Sequence, residues 1–271
     1  MKIRILTENT VYRRGLFGEH GLSLLIEANG KKILFDTGQS DVYIKNAKKL
    51  KDDLSNLDGI VLSHGHYDHC GGMEFFPQMK KCPPLYVREG AFQDKRHCKA
   101  GKYEIIGIDW QQEDYPGEII ETGNRYDLGD GFTLIGNIGY ETDFEPMPDG
   151  FFIVLDGMDA IPDLMSDEQL LVVETEKGLS LFMGCSHMGV INCIKRVQKE
   201  FPGKRIHSIL AGMHLKAVPK SRIERTIEEL QKMDFDYLIP VHCTGLSAIV
   251  QMKQALGDRC LLAEAGKKFE L

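Results

Sequence analysis

Three imidazoles and a carboxylate fall within the six residues His64-Gly65-His66-Tyr67-Asp68-His69. Nitrogen and oxygen donors at this density suit zinc, iron or manganese, in two pairs that can each serve one ion of a two-metal site. The stretch follows the apolar run Gly59-Ile60-Val61-Leu62. A buried strand ending at Leu62 would deliver His64 and His66 on one side, because alternate residues of an extended segment share a face. Asp68 and His69 then follow at a tight turn, with Gly65 and the pair Gly71-Gly72 letting the backbone fold closely. The alternative is a solvated His-rich loop, and four donors at this spacing argue against it.

Four more stretches place a polar side chain at the end of an apolar run. Leu34-Phe35 runs into Asp36-Thr37-Gly38, where Asp36 can cap the next helix. Leu179 to Met183 leads into Gly184-Cys185-Ser186-His187, and His187 is either structural or a ligand. Ile206 to Ala211 leads to His214, a proton donor, a substrate contact or a core histidine. Tyr237 to Val241 leads to His242-Cys243-Thr244-Gly245. His20 and His207 have no such context and read as structural or exposed.

The elements that must position these residues are legible from periodicity. Ile3 and Ile5 alternate with Lys2 and Arg4, and Leu22 to Ala28 and Lys32 to Phe35 flank Asn29-Gly30, a strong hairpin signal. Helical spacing covers Val42 to Leu54, Met73 to Met79, Val190 to Phe201, Ile223 to Met233 and Leu246 to Leu256. Leu85-Tyr86-Val87 reads as a strand, and Leu170 to Val173 with Leu179 to Met183 reads as a second hairpin. Residues 90–130 mix charge with aromatics and read as either a substrate-facing segment or a polar surface excursion. Within them Lys95, Arg96 and Arg125 are candidates to hold a phosphate or carboxylate. The long excursion from Gly139 to Asp167 has the length of a lid or binding segment.

No Pro/Gly/Ser-rich linker divides the 271 residues, so residues 1–271 read as a single domain. A hydrophobic share of 42% and a charged share of 27% allow a substantial core. The net charge of -7 disfavours nucleic acid as a partner but permits a local pocket for one phosphate. Seven cysteines without a Cys-x-x-Cys pair fit reduced thiols and a cytoplasmic protein. The N-terminus lacks a signal-peptide core, and no apolar run reaches the ~18 residues that span a bilayer.

The run His64-x-His66-x-Asp68-His69 resembles the His-x-His-x-Asp-His signature of the metallo-beta-lactamase superfamily, and the match is complete. The strand ending at His242 resembles the one that carries that family's closing ligand. Gly184-Cys185 departs from the usual Gly-Asp, whose Asp bridges both metals, so Cys185 stands in that place. No His lies in residues 130–140, where many members supply a ligand, and His187 is the candidate to fill that vacancy. Gly184-Cys185-Ser186-His187 followed by Gly189 and Asn192 resembles a subgroup that includes archaeal dihydropterin-condensing proteins.

The resemblance implies an α/β fold, a four-layer αββα sandwich of two similar halves with the site at one rim. It implies two divalent ions, zinc first, with iron or manganese as alternatives. On this reading His64, His66 and His187 hold one ion, Asp68, His69 and His242 hold the other, and Cys185 is close to both. Asp68 and His214 serve the chemistry, and a hydroxide shared by the ions attacks a small, possibly phosphorylated ester, lactone or phosphoester. The subgroup also permits a transferase that joins a dihydropterin to a ribosyl-aminobenzene phosphate with loss of diphosphate. An iron-containing redox or ligand-binding protein is the third expectation.

Overall fold

The chain begins as an antiparallel meander: β1 (Lys2–Thr7), β2 (Ser23–Ala28) and β3 (Lys31–Phe35). Asn29 and Gly30, both at positive φ, make the two-residue turn between β2 and β3. Helix α1 (Val42–Leu50) follows, then β4 (Gly59–Val61), the short α2 (Tyr67–Cys70) and β5 (Leu85–Arg88). Next come β6 (Asp94–Lys99), β7 (Lys102–Ile105), β8 (Ile119–Thr122), β9 (Arg125–Gly129) and β10 (Phe132–Ile135). The excursion holds β11 (Phe151–Val154) and β12 (Ile161–Pro162), ahead of the hairpin β13 (Leu170–Thr175) and β14 (Gly178–Met183). The chain closes with α3 (Val190–Glu200), β15 (Ile206–Gly212), α4 (Lys220–Lys232), β16 (Tyr237–Val241), α5 (Leu246–Leu256) and β17 (Lys268–Glu270). This is a computed structural model, and it describes residues 1–77, 82–155 and 159–271.

Two large sheets repeat one plan. The first runs β17-β1-β2-β3-β4-β5-β8 and the second β16-β15-β14-β13-β10-β9. Each starts as an antiparallel meander and continues through parallel strands, β3-β4-β5 in one and β14-β15-β16 in the other. Their facing surfaces share a core in which Ile5, Ile26 and Phe35 meet Leu134, Phe182 and Ile239. On the outer face of the first sheet, Tyr43 and Ala47 of α1 pack with Leu25, Leu34 and Ile60. On the outer face of the second, α3, α4 and α5 bring Ile194, Ile227 and Met252 against Val172, Leu181 and Ile209. The layers are therefore αββα, and the parallel strands of both sheets end on one rim.

A third sheet, β12-β11-β6-β7, joins the strands β6 and β7 to β11 and β12. Periodicity does not reveal it, because Asp94-Lys95-Arg96-His97-Cys98-Lys99 has no apolar alternation. The helix expected over Met73 to Met79 is also not formed in the described part: Gly71–Phe75 is a single 3-10 turn, and Met79 lies outside the described residues. Two glycines begin that turn, and glycine is a poor helix former.

Candidate metal centre

Strand ends from both sheets bring the chemically marked residues together. β4 runs into Ser63 and His64, and α2 carries Asp68 and His69. From the second sheet, β14 ends before Cys185 and His187, β15 before His214, and β16 before His242. Asp36, Ser186, His214 and His242 all have φ between 46° and 56°, a left-handed conformation uncommon outside glycine. Backbone held this way at four neighbouring strand ends marks a place where geometry has been favoured over relaxation. Two glycines make the approach possible. A Cβ on Gly65 would collide with the carbonyl of Ala91, and one on Gly184 would collide with Ser63 Oγ.

Asp36 organises the first-sheet side of the rim. Its Oδ1 accepts the Ser63 N–H at 2.7 Å, and its Oδ2 accepts the Ser63 hydroxyl at 2.7 Å. The same Oδ2 lies 2.7 Å from His69 Nδ1, which therefore donates and leaves the Nε2 lone pair facing the rim. His242 is set the same way, because its Nδ1–H donates to Asn9 Oδ1 at 2.8 Å while Glu8 Oε1 accepts its backbone N–H. Glu168 accepts the backbone N–H groups of His187 and Met188 at 2.6 and 2.9 Å.

The inward atoms make close sets. His69 Nε2 lies 3.2 Å from His242 Nε2 and 3.1 Å from Cys185 Sγ. Asp68 Oδ2 lies 3.2 Å from His242 Nε2 and 3.8 Å from His69 Nε2. Donors at zinc's bond lengths sit about 3.3–3.5 Å apart on a tetrahedron, so these separations fit an ion of that size. A second set joins His64, Cys185 and His187 within 4.8 Å, and His64 Nε2 is 3.0 Å from His66 Nδ1. His66 Nε2, both ring nitrogens of His187 and His214 Nδ1 are buried without a hydrogen-bond partner. Buried polar atoms left this way cost free energy, and a cation is the partner that nitrogen lone pairs can take.

Burial first, and then positive neighbours, holds His64, His66 and His187 well below the usual imidazole range, so their lone pairs are available at neutral pH. Burial would also raise the Asp68 carboxyl, but His69, His20 and His242 outweigh it and hold it well below the usual carboxylate range. His69 differs: burial lowers it, Asp68 and Asp36 overcome that, and it is pushed up to about 9. Burial also pushes the Cys185 thiol well up. If His69 and Cys185 take a metal ion, each must first give up its proton. A zinc titration in weak buffer at neutral pH is expected to release at least one proton per protein molecule, with affinity rising toward alkaline pH. Release of none would contradict these protonation states. In the metal-free fold the His69 contribution to stability is fully present below about pH 6.5 and is lost as pH rises through about 9.

Above the donors lies a pocket of about 390 Å³, lined among others by His66, Asp68, Phe151, Cys185, His187, His214 and His242. The Phe151 ring lies parallel to His66 at 5.6 Å, and it also touches His187 and His214. His214 sits 4.6 Å from the His187 ring, within reach of this pocket.

His20, which has no marked sequence context, stands here too, with Nε2 3.2 Å from Asp68 Oδ2. It sits in a loop with no apolar run to announce it. His207 stays apart, bonded to Asp236. The three basic residues considered for anion binding are already engaged. Buried Lys95 bridges Asp163 and Asp167 at 2.7 and 2.9 Å, Arg96 pairs with Asp94, and Arg125 pairs with Glu200. Asp167 in turn accepts the N–H of Gly65 at 2.8 Å, between the first two histidines of the motif. Among the described residues no disulfide joins the cysteines, and no helix is long and apolar enough to cross a membrane.

A family model described as the metallo-beta-lactamase superfamily matches residues 16–143. The chain is 34% identical over 258 residues to an uncharacterized protein of Methanocaldococcus jannaschii, covering 93% of this chain and 94% of that one. It is 30% identical over 264 residues to the 7,8-dihydropterin-6-methyl-4-(beta-D-ribofuranosyl)-aminobenzene-5'-phosphate synthase of the same organism, covering 92% and 89%. A solved structure described as Tm1679, a metal-dependent hydrolase of the beta-lactamase superfamily, superposes with a TM-score of 0.87 at 31% identity. That match covers 100% of this chain and 99% of the other.

Proposed function

Since the chain belongs to the metallo-beta-lactamase superfamily, we propose that it is a metal-dependent hydrolase of a small ester, lactone or phosphoester with two divalent ions at the rim. The observation that carries this reading is the convergence of strand-end donors from both sheets with ring nitrogens that have no protein partner. On it, Asp68, His69 and His242 hold one ion, His64, His66 and His187 hold the other, and Cys185 lies between. The donor chemistry suits zinc, and iron or manganese would also be accepted. When bound, such ions lower the pKa of water toward neutrality and polarise a carbonyl or phosphoryl oxygen.

The remaining tasks fall to this chain's own side chains. Asp36 and Asn9 fix the tautomers of His69 and His242, so that neither ring can turn its lone pair away. Phe151 covers His66 and His187 and keeps bulk water from them. His214, at the edge of the same pocket, is placed to hand a proton to a departing group.

The relative named as a synthase favours a second reading: condensation of a dihydropterin with an amine and loss of diphosphate, at the same donors. One assay separates the two. The zinc-loaded protein is offered 4-nitrophenyl acetate, bis(4-nitrophenyl) phosphate and an acyl lactone, and separately a dihydropterin diphosphate with ribosyl-aminobenzene phosphate. Metal-dependent cleavage that stops with chelator and returns with zinc is the expected result. Condensation without cleavage would replace the hydrolase reading.

A further inference from the structure

We propose that Lys99 and Lys216 form a two-armed anion clamp at the mouth of the pocket, holding a phosphate or carboxylate carried by the substrate away from the reacting bond. This names the substrate class for the pocket and rests on the reading of it as the reaction site.

The clamp follows from how β6 is built. Lys95, His97 and Lys99 alternate along that strand and so share one face. Lys95 at the inner end is sealed and neutralised by Asp163 and Asp167. His97 lines the pocket with its ring 5.0 Å from Phe151, and the exposed Lys99 lines it as well. Lys216 reaches the same pocket from the second sheet, two residues beyond His214. Its backbone N–H donates to Cys243 O at 3.3 Å, and its stem packs beside Gly245, so its base is fixed while its ammonium is free to swing.

Charge sharpens the case. The chain carries 40 acidic against 33 basic residues. Yet the only carboxylate among the pocket-lining residues is Asp68, already surrounded by His20, His69 and His242. Among the described residues no carboxylate pairs with Lys99 or Lys216, in contrast to Lys95, Arg96 and Arg125. Two unneutralised ammoniums over a cluster of imidazoles give an otherwise acidic protein a locally positive entry, which draws in and orients an anion. Lysine meets phosphate as a mobile point charge, suited to a group whose exact position varies between substrates. Phe151, Ile106 and Tyr67 supply an apolar wall for the uncharged body of the molecule.

Both lysines are exposed, so Lys99→Gln and Lys216→Gln leave the fold intact. Zinc-loaded wild-type and double-variant proteins are titrated calorimetrically with phenylphosphonate, with benzoate and with neutral benzyl alcohol. The double variant is expected to bind at least one anion about tenfold or more weakly, benzyl alcohol equally well, and to lose most of the wild type's salt sensitivity. A larger loss with phenylphosphonate assigns phosphate-bearing substrates, and a larger loss with benzoate assigns carboxylates. Equal affinity of the two proteins for both anions overturns the clamp. Turnover of 4-nitrophenyl acetate by the same wild-type preparation reports on the hydrolase reading alone, and its absence leaves the titration decisive.

Discussion

His66→Ala is expected to lose about one metal equivalent and to cut metal-dependent turnover by about a thousandfold or more, the scale of losing one strong electrostatic contact to a transition state. His66 is buried, and its Nε2 has no protein partner. Alanine removes that unpartnered atom together with the Nδ1 contact to His64 and the stacking on Phe151, so the fold is checked beside the metal content. Metal content by plasma emission, with far-ultraviolet dichroism as the control, checks it. Full occupancy together with wild-type turnover in the variant would remove His66 from the cage.

Lys95→Met is expected to cost about 3–5 kcal/mol, because it leaves Asp163 and Asp167 facing each other without their cation. For a chain of this size that lowers the melting temperature by roughly 10 °C. Burial already raises the Asp167 carboxyl despite Lys95, and without the ammonium it would move further up. The protonated group is a poorer acceptor for Gly65 N–H, so metal affinity should fall together with stability. Adding Asp163→Asn and Asp167→Asn removes the stranded charges and should recover much of the melting temperature. A variant with Lys95→Met alone that melts like the wild type would show that the pair tolerates its own repulsion.

The parts of this molecule that a reader of the sequence can see are those in which chemistry and backbone pattern coincide locally. His64 to His69 follow an apolar run, and Asp36, Cys185, His187, His214 and His242 each end one, because parallel strands of both sheets finish on the same rim. The rest depends on contacts distant along the chain. Lys95 looks like a cation free to meet substrate until Asp163 and Asp167, 68 and 72 residues onward, are found against it. β6 escapes notice because its inner side chains, Lys95 and His97, meet the carboxylates of Asp163 and Asp167 and the ring of Phe151, and no apolar alternation marks it. His20 is seen only when the fold closes on Asp68.

The third sheet separates two jobs that many enzymes mix. The candidate metal donors stand on the double sandwich, whereas Phe151, His97 and Lys99 ride on a panel built from two detours of the chain, latched through Lys95 and Asp167 to Gly65. Mutation can therefore redraw the panel, changing which molecules are admitted, while the reactive machinery is inherited unaltered. Diversification would then accumulate in residues 94–105 and 151–162 and leave the rim itself almost untouched.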